Sequence, residues 1–136
     1  MKMRINDKIS EIEKYLSELQ EFIPSNFKRY LRDIKTKAAC ERYFEMIVEA
    51  AVDLAFLIIK DKNLKTPEED KESFDILAKE KLITEELAAK LKDAKGMRNI
   101  LAHQYGNVDD KVVFYSITEE IVEDVNKFID TVKKAR

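Results

Sequence analysis

The chain has 136 residues, 45% of them hydrophobic and 38% charged, with a formal net charge of −2, two glycines, two prolines, one cysteine and one histidine. That length suits one domain, residues 1–136, with a core of its own, and the acidic balance argues against a protein that coats nucleic acid by bulk attraction. A lone cysteine, Cys40, cannot pair within the chain, the amino terminus lacks the apolar run of a signal peptide, and the most apolar stretch, 50–59, is about half the roughly 20 residues of a membrane span, so a cytoplasmic protein with no membrane partner is expected.

Ile5, Ile9, Ile12, Leu16 and Leu19 recur at helical spacing and predict a first helix over about residues 5–21. The segment Phe22-Ile23-Pro24-Ser25-Asn26 breaks it, because the residue before a proline is pushed out of the helical region. A long second helix is predicted from about Phe27 to Lys60, with Leu31, Ile34, Ala38, Ala39, Phe44, Ile47, Val48, Ala51, Leu54, Ala55 and Ile58 on its buried side. Residues 62–71 read as a polar loop. Ser73 reads as the N-cap of a short helix over 74–80, and Thr84 as the N-cap of the next, with Glu85 and Glu86 suiting its positive end. That helix carries Leu87, Leu91 and Ala94 into the run MRNILAHQYG, where Gly106 reads as a C-cap. A last helix is predicted over about residues 110–134, with Val112, Val113, Ile117, Ile121, Val125, Phe128, Ile129 and Val132 on its apolar side. The fold class is therefore all-α, an up-and-down bundle of four to five helices.

The chemistry concentrates in that run. Arg98, Asn99, His103 and Tyr105 place a guanidinium, an amide, an imidazole and a phenol within eight residues. Arginine holds a phosphate with a planar fork of donors, and histidine gives or takes a proton near neutral pH. At about 100° per residue, Met97, Ile100 and Leu101 share a face directed into the bundle, while Arg98 and His103 stand about 140° apart on the other side with only Ala102 between them. Tyr105 falls about 20° from Arg98, and Asn99 about 40° from His103, which it would help orient. Blander roles compete with these: a lone histidine is more often a surface or capping residue, Tyr105 would by default pack against the next helix, and Arg98 would pair with Asp93 or an acid on the last helix.

Other chemistries find little support. One histidine is too few for a zinc site, no aspartate-rich box suggests two metals, and no glycine-rich loop or positioned nucleophilic triad is present. No cofactor is expected. Metal-free phosphoryl transfer on RNA remains, with the ribose 2′-hydroxyl as nucleophile, His103 as acid or base, Arg98 as charge stabiliser and Tyr105 positioning the phosphate or stacking on a base. Lys28, Arg29, Arg32, Lys35, Lys37 and Arg42 form a basic strip suited to guiding RNA or simply to facing solvent. Arg42, Glu49 and Asp53 lie on one stripe of the long helix, as a salt-bridge ladder or as a polar support for Arg98 or Tyr105.

The pattern R-N-x-x-x-H-x-Y, here Arg98, Asn99, His103 and Tyr105, resembles the HEPN superfamily, and within it the HepT-like ribonuclease toxins, whose motif is R-x-x-x-x-H-x-Y. The run CERYFEMIVEAAVDL (Cys40–Leu54) is similar to that family's long second helix, and GNVDDKVVFYSI is similar to the usual continuation of its motif. The resemblance implies a ribonuclease toxin acting as a homodimer, with a composite RNA groove at the two-fold axis. It also implies a minimal nucleotidyltransferase antitoxin that adds AMP to the motif tyrosine, here Tyr105. The alternative is a non-catalytic helical partner, or a nucleotide-binding module, for such a nucleotidyltransferase.

Overall fold

The computed structural model describes residues 2–103 and 108–135. Four long helical rods form the bundle: α1 (Lys2–Phe22), α3 (Ile34–Asp61), α5 (Glu85–His103) and a last rod made of α6 (Asp110–Tyr115), a π-helical turn (Ser116–Glu120) and α7 (Ile121–Lys134). Two short helices, α2 (Phe27–Arg32) and α4 (Asp70–Lys79), complete it, and no strand occurs among the described residues. α3 is the axle: α1, α2, α4 and α5 all pack on it, and α7 packs on α5.

The first helix has the expected buried stripe. Ile5, Ile9, Ile12, Leu16 and Leu19 are each at most 4% exposed, laid along α3. Burying each such side chain stabilises the fold by about 1.5–3 kcal/mol. Lys133 on α7 reaches Glu13 on α1 at 2.9 Å, which ties the last rod to the first.

The long second helix is broken where helical spacing predicts continuity. Asp33 has φ −98° and ψ 94°, ends α2 and opens α3 by accepting from the Thr36 amide at 3.1 Å. The Thr36 hydroxyl donates to its other oxygen at 2.8 Å. A capping carboxylate thus outweighs helix continuity across Asp33. The break turns Leu31 and Ile34 outward, 43% and 77% exposed, against expectation, and Ala38 is exposed as well. Tyr30 is buried instead, its ring centroid 4.9 Å from Phe114 of α6 and 6.3 Å from Phe27.

Two other boundaries move. α4 starts at Asp70, so Ser73 is not an N-cap; it lies inside the helix, fully buried, with its hydroxyl donating to the Asp70 carbonyl at 2.6 Å. The acidic first turn, Asp70 and Glu72, supports that earlier start against the helix dipole. Thr84 does cap α5, its Oγ1 accepting from the Leu87 amide at 3.0 Å.

The last rod spans the expected residues but contains the π turn. Val113, Ile117, Ile121 and Val125 are all buried and spaced by four. On a regular α-helix each such step overshoots a full turn by about 40°, so the stripe would swing off the core. The wider turn at Ser116–Glu120 absorbs that drift. Val112 lies off the stripe and is 49% exposed, not buried as expected.

Candidate functional site

α5 carries the site. Its Thr84 cap fixes where the helix starts, and Leu87, Ala88, Leu91 and Leu101 bury one face of it. The same side, at and beyond Leu91, carries Lys95 and Arg98, with Asn99 at its edge. Together with Glu69, Asp70 and Lys71 they line an open groove of about 580 Å³. Gly96 leaves room for the Lys71 side chain: a Cβ there would sit 3.3 Å from Lys71 Nζ.

Arg98 is half-buried, and its partner is neither Asp93 nor an acid on the last rod. Its Nε lies 2.8 Å from Glu49 Oε1 on α3. That Nε is shut off from solvent and makes no directed hydrogen bond, so the contact is a Coulombic one with the N–H pointing off the line. One terminal nitrogen, Nη1, donates a long 3.4 Å bond to Asn99 Oδ1. Asn99 therefore faces Arg98 rather than orienting His103.

His103 is the exposed last residue of α5 and makes no hydrogen bond to another described residue. It does not line the groove. It lies five positions beyond Arg98, a rise of about 7.5 Å along the helix. Gln104, Tyr105 and Gly106 lie outside the described residues, and with them the expected C-cap and the tyrosine. Of the three residues on the expected inward face, Leu101 is buried and Met97 is partly so, but Ile100 is 40% exposed.

The charged stripe on α3 divides among different neighbours. Glu49 faces α5, Asp53 pairs at 3.5 Å with Lys8 of α1, and Arg42 is exposed with no partner among the described residues. Along the basic strip, Lys37 is engaged by Glu41 at 3.1 Å and by Asp110 at 3.2 Å, whereas Lys28, Arg29, Arg32 and Lys35 are exposed. Sequence reasoning missed Lys95. It is 5% exposed, with Nζ 2.7 Å from Glu49 Oε1 and 3.1 Å from Asp70 Oδ2. The available signal was its place three residues before Arg98, on the same side of the helix.

A second cavity, about 200 Å³, lies beside Met97 where α5 meets the π turn. Ser116 donates to Glu120 there at 3.0 Å. Asp124 is 6% exposed, and burial pushes its carboxyl above the usual range, with Lys90 at 3.9 Å only partly opposing this. Among the described residues no group of three or more His, Cys, Asp or Glu could hold a metal ion, and no helix is long and apolar enough to cross a membrane.

Comparison with known proteins agrees with this layout. The family model described as ribonuclease HepT-like matches residues 12–132. The chain is 28% identical over 129 residues to the mRNA nuclease HepT of Shewanella oneidensis, covering 95% of this chain and 96% of that one. It is 26% identical over 136 residues to the tRNA nuclease HepT of Aphanizomenon flos-aquae, covering 96% and 92%. A solved structure of a tri-AMPylated HEPN toxin of Shewanella oneidensis, in complex with an MNT antitoxin, matches with a TM-score of 0.88 and 28% identity over 96% of each chain.

Proposed function

The chain belongs to the HepT-like ribonuclease family, and from that membership we propose that it is a metal-independent RNA endonuclease, the toxin of a toxin–antitoxin pair. One observation carries the proposal: Arg98 lies with its Nε 2.8 Å from Glu49 and lines an open groove, on the helix that ends in an exposed His103. A cation at an open groove suits a phosphate, and an accessible imidazole suits proton transfer.

In the proposed reaction the ribose 2′-oxygen attacks the adjacent phosphorus and the P–O5′ bond breaks. The products are a 2′,3′-cyclic phosphate and a 5′-hydroxyl. His103 takes the 2′-proton or supplies one to the leaving oxygen, and Arg98 stabilises the charge that builds on the phosphorane. DNA, lacking the 2′-hydroxyl, is not a substrate for this route.

In-line cleavage profits from both an acid and a base, yet each chain has one histidine. A homodimer that brings two α5 ends together supplies both. The exposed Ile100 at the end of α5, and Val112 and Tyr115 on α6, support such an interface. The antitoxin partner is a minimal nucleotidyltransferase. The Tyr105 oxygen attacks the α-phosphorus of ATP, pyrophosphate leaves and the phenolic proton passes to solvent. The resulting AMP–tyrosine, two residues from His103, repels the RNA phosphate.

The test is cleavage of a defined RNA by the purified protein with excess chelator. Retained activity and a 2′,3′-cyclic phosphate end are expected. Activity lost in chelator and restored by a divalent ion would refute the metal-independent mechanism, and no cleavage of any RNA would favour the non-catalytic role.

A further inference from the structure

A buried ammonium is costly unless its charge is paired. Lys95 resolves this with two carboxylates, Glu49 and Asp70, at 2.7 and 3.1 Å. The Glu49 oxygen it uses is the same one that lies 2.8 Å from Arg98 Nε. Two cations share one oxygen, but unequally. Lys95 donates a short hydrogen bond to it, whereas the Arg98 N–H points off the line. Glu49 therefore locates Arg98 without closing over it.

We propose that Lys95 is a positioning residue for Arg98, one that holds Glu49 and Asp70 so that the guanidinium keeps its outer edge free for an RNA phosphate. The proposal rests on the ribonuclease reading above. The charges of Glu49, Asp70, Lys95 and Arg98 cancel. Without Lys95 the cluster becomes net negative beside the place a phosphate must occupy, and both oxygens of Glu49 are free to form a two-pronged pair with Arg98. Arg98 would then be turned inward and its charge spent on the protein. The lysine acts through the arginine and touches no substrate.

Lys95→Met keeps an unbranched side chain one atom shorter and removes the charge. In folded protein it should lower kcat at least about tenfold, toward the roughly hundredfold loss caused by a misplacement on the order of 1 Å, with a smaller change in KM. Adding Glu49→Gln should recover part of that loss, because the carboxylate that captures Arg98 is gone. A lysine with only a structural role would instead make the double variant worse than either single one. Independently of activity, the Arg98 Nε–Hε resonance should shift in Lys95→Met and move back in the double variant. A wild-type chain that cleaves no RNA would count against the ribonuclease reading, while the resonance would still decide the positioning. Glu49→Gln alone leaves Lys95 its Asp70 partner and so keeps the fold testable if Lys95→Met does not fold; it too should shift the resonance. The proposal is overturned by an unmoved Arg98 resonance in folded Lys95→Met or in Glu49→Gln, or by a double variant no better than Lys95→Met.

Discussion

Glu49 on α3 and Arg98 on α5 meet at 2.8 Å, and this contact links the central helix of the bundle to the motif helix. It locates the guanidinium at its Nε, on the wall of the open groove that Arg98 lines. The arginine is thereby pre-oriented by a rigid rod rather than by a loop, which is the arrangement that favours charge stabilisation in a transition state.

His103 carries the proton chemistry in the proposed mechanism. His103→Ala should lower the cleavage rate at least about 100-fold, the usual contribution of acid–base catalysis. The residue is exposed at a helix end, so the fold should be unaffected by circular dichroism. An unchanged rate in the folded variant would remove His103 from the mechanism.

The composite site makes a prediction about mixing. A His103→Ala chain and an Arg98→Ala chain, each inactive alone, should regain partial activity after denaturation and refolding together if each groove draws on both chains. Sedimentation at assay concentration should show a dimer. A fully active monomer would exclude the shared site.

Tyr105 is the proposed modification site. Tyr105→Phe removes the hydroxyl that accepts AMP, so whatever activity the variant retains should resist the cognate nucleotidyltransferase with ATP. Wild-type protein treated in parallel should gain the mass of AMP on Tyr105 by mass spectrometry and lose activity. AMP found on another residue, with none on Tyr105, would move the switch elsewhere.

Asp124 gives a stability prediction with a definite sign. Burial raises its pKa in the fold above the ordinary carboxylate value, against partial relief from Lys90 and Lys127 and with reinforcement from Glu120 and Glu123. The folded state therefore holds this proton more tightly than the unfolded chain does, and stability contributed by Asp124 falls as pH rises through that window. Asp124→Asn should raise the melting temperature at neutral pH by an amount on the order of a few degrees, with the gain shrinking toward pH 4. A gain of equal size at both pH values would show that ionisation is not its cause.

How much of this was legible depends on the range of the interaction. The stripe Ile5, Ile9, Ile12, Leu16 and Leu19, the Thr84 cap and the placing of Arg98, Asn99 and His103 on one late helix are consequences of spacing and of local hydrogen bonding, and each is readable in the sequence. The Asp33 cap was also local, since a carboxylate three residues before Thr36 is an N-cap pattern, but continuous apolar spacing masked it. The π turn hid in a regular four-residue repeat that only a physical count of the angular drift exposes.

An all-α chain, the helix that bears the motif and the chemical types available there are set by residue order alone, because backbone geometry repeats every 3.6 residues and side-chain chemistry comes with the residue. Packing alone settles which acid of the α3 stripe meets Arg98, that Lys95 is buried between two carboxylates, and that Leu31, Ile34, Ile100 and Val112 stay outside the core. The reason is that ion pairs between helices and the edge of a core depend on how the rods are rotated and offset against one another. Those quantities are set by the packing of all the helices at once, and no single helix's periodicity contains them.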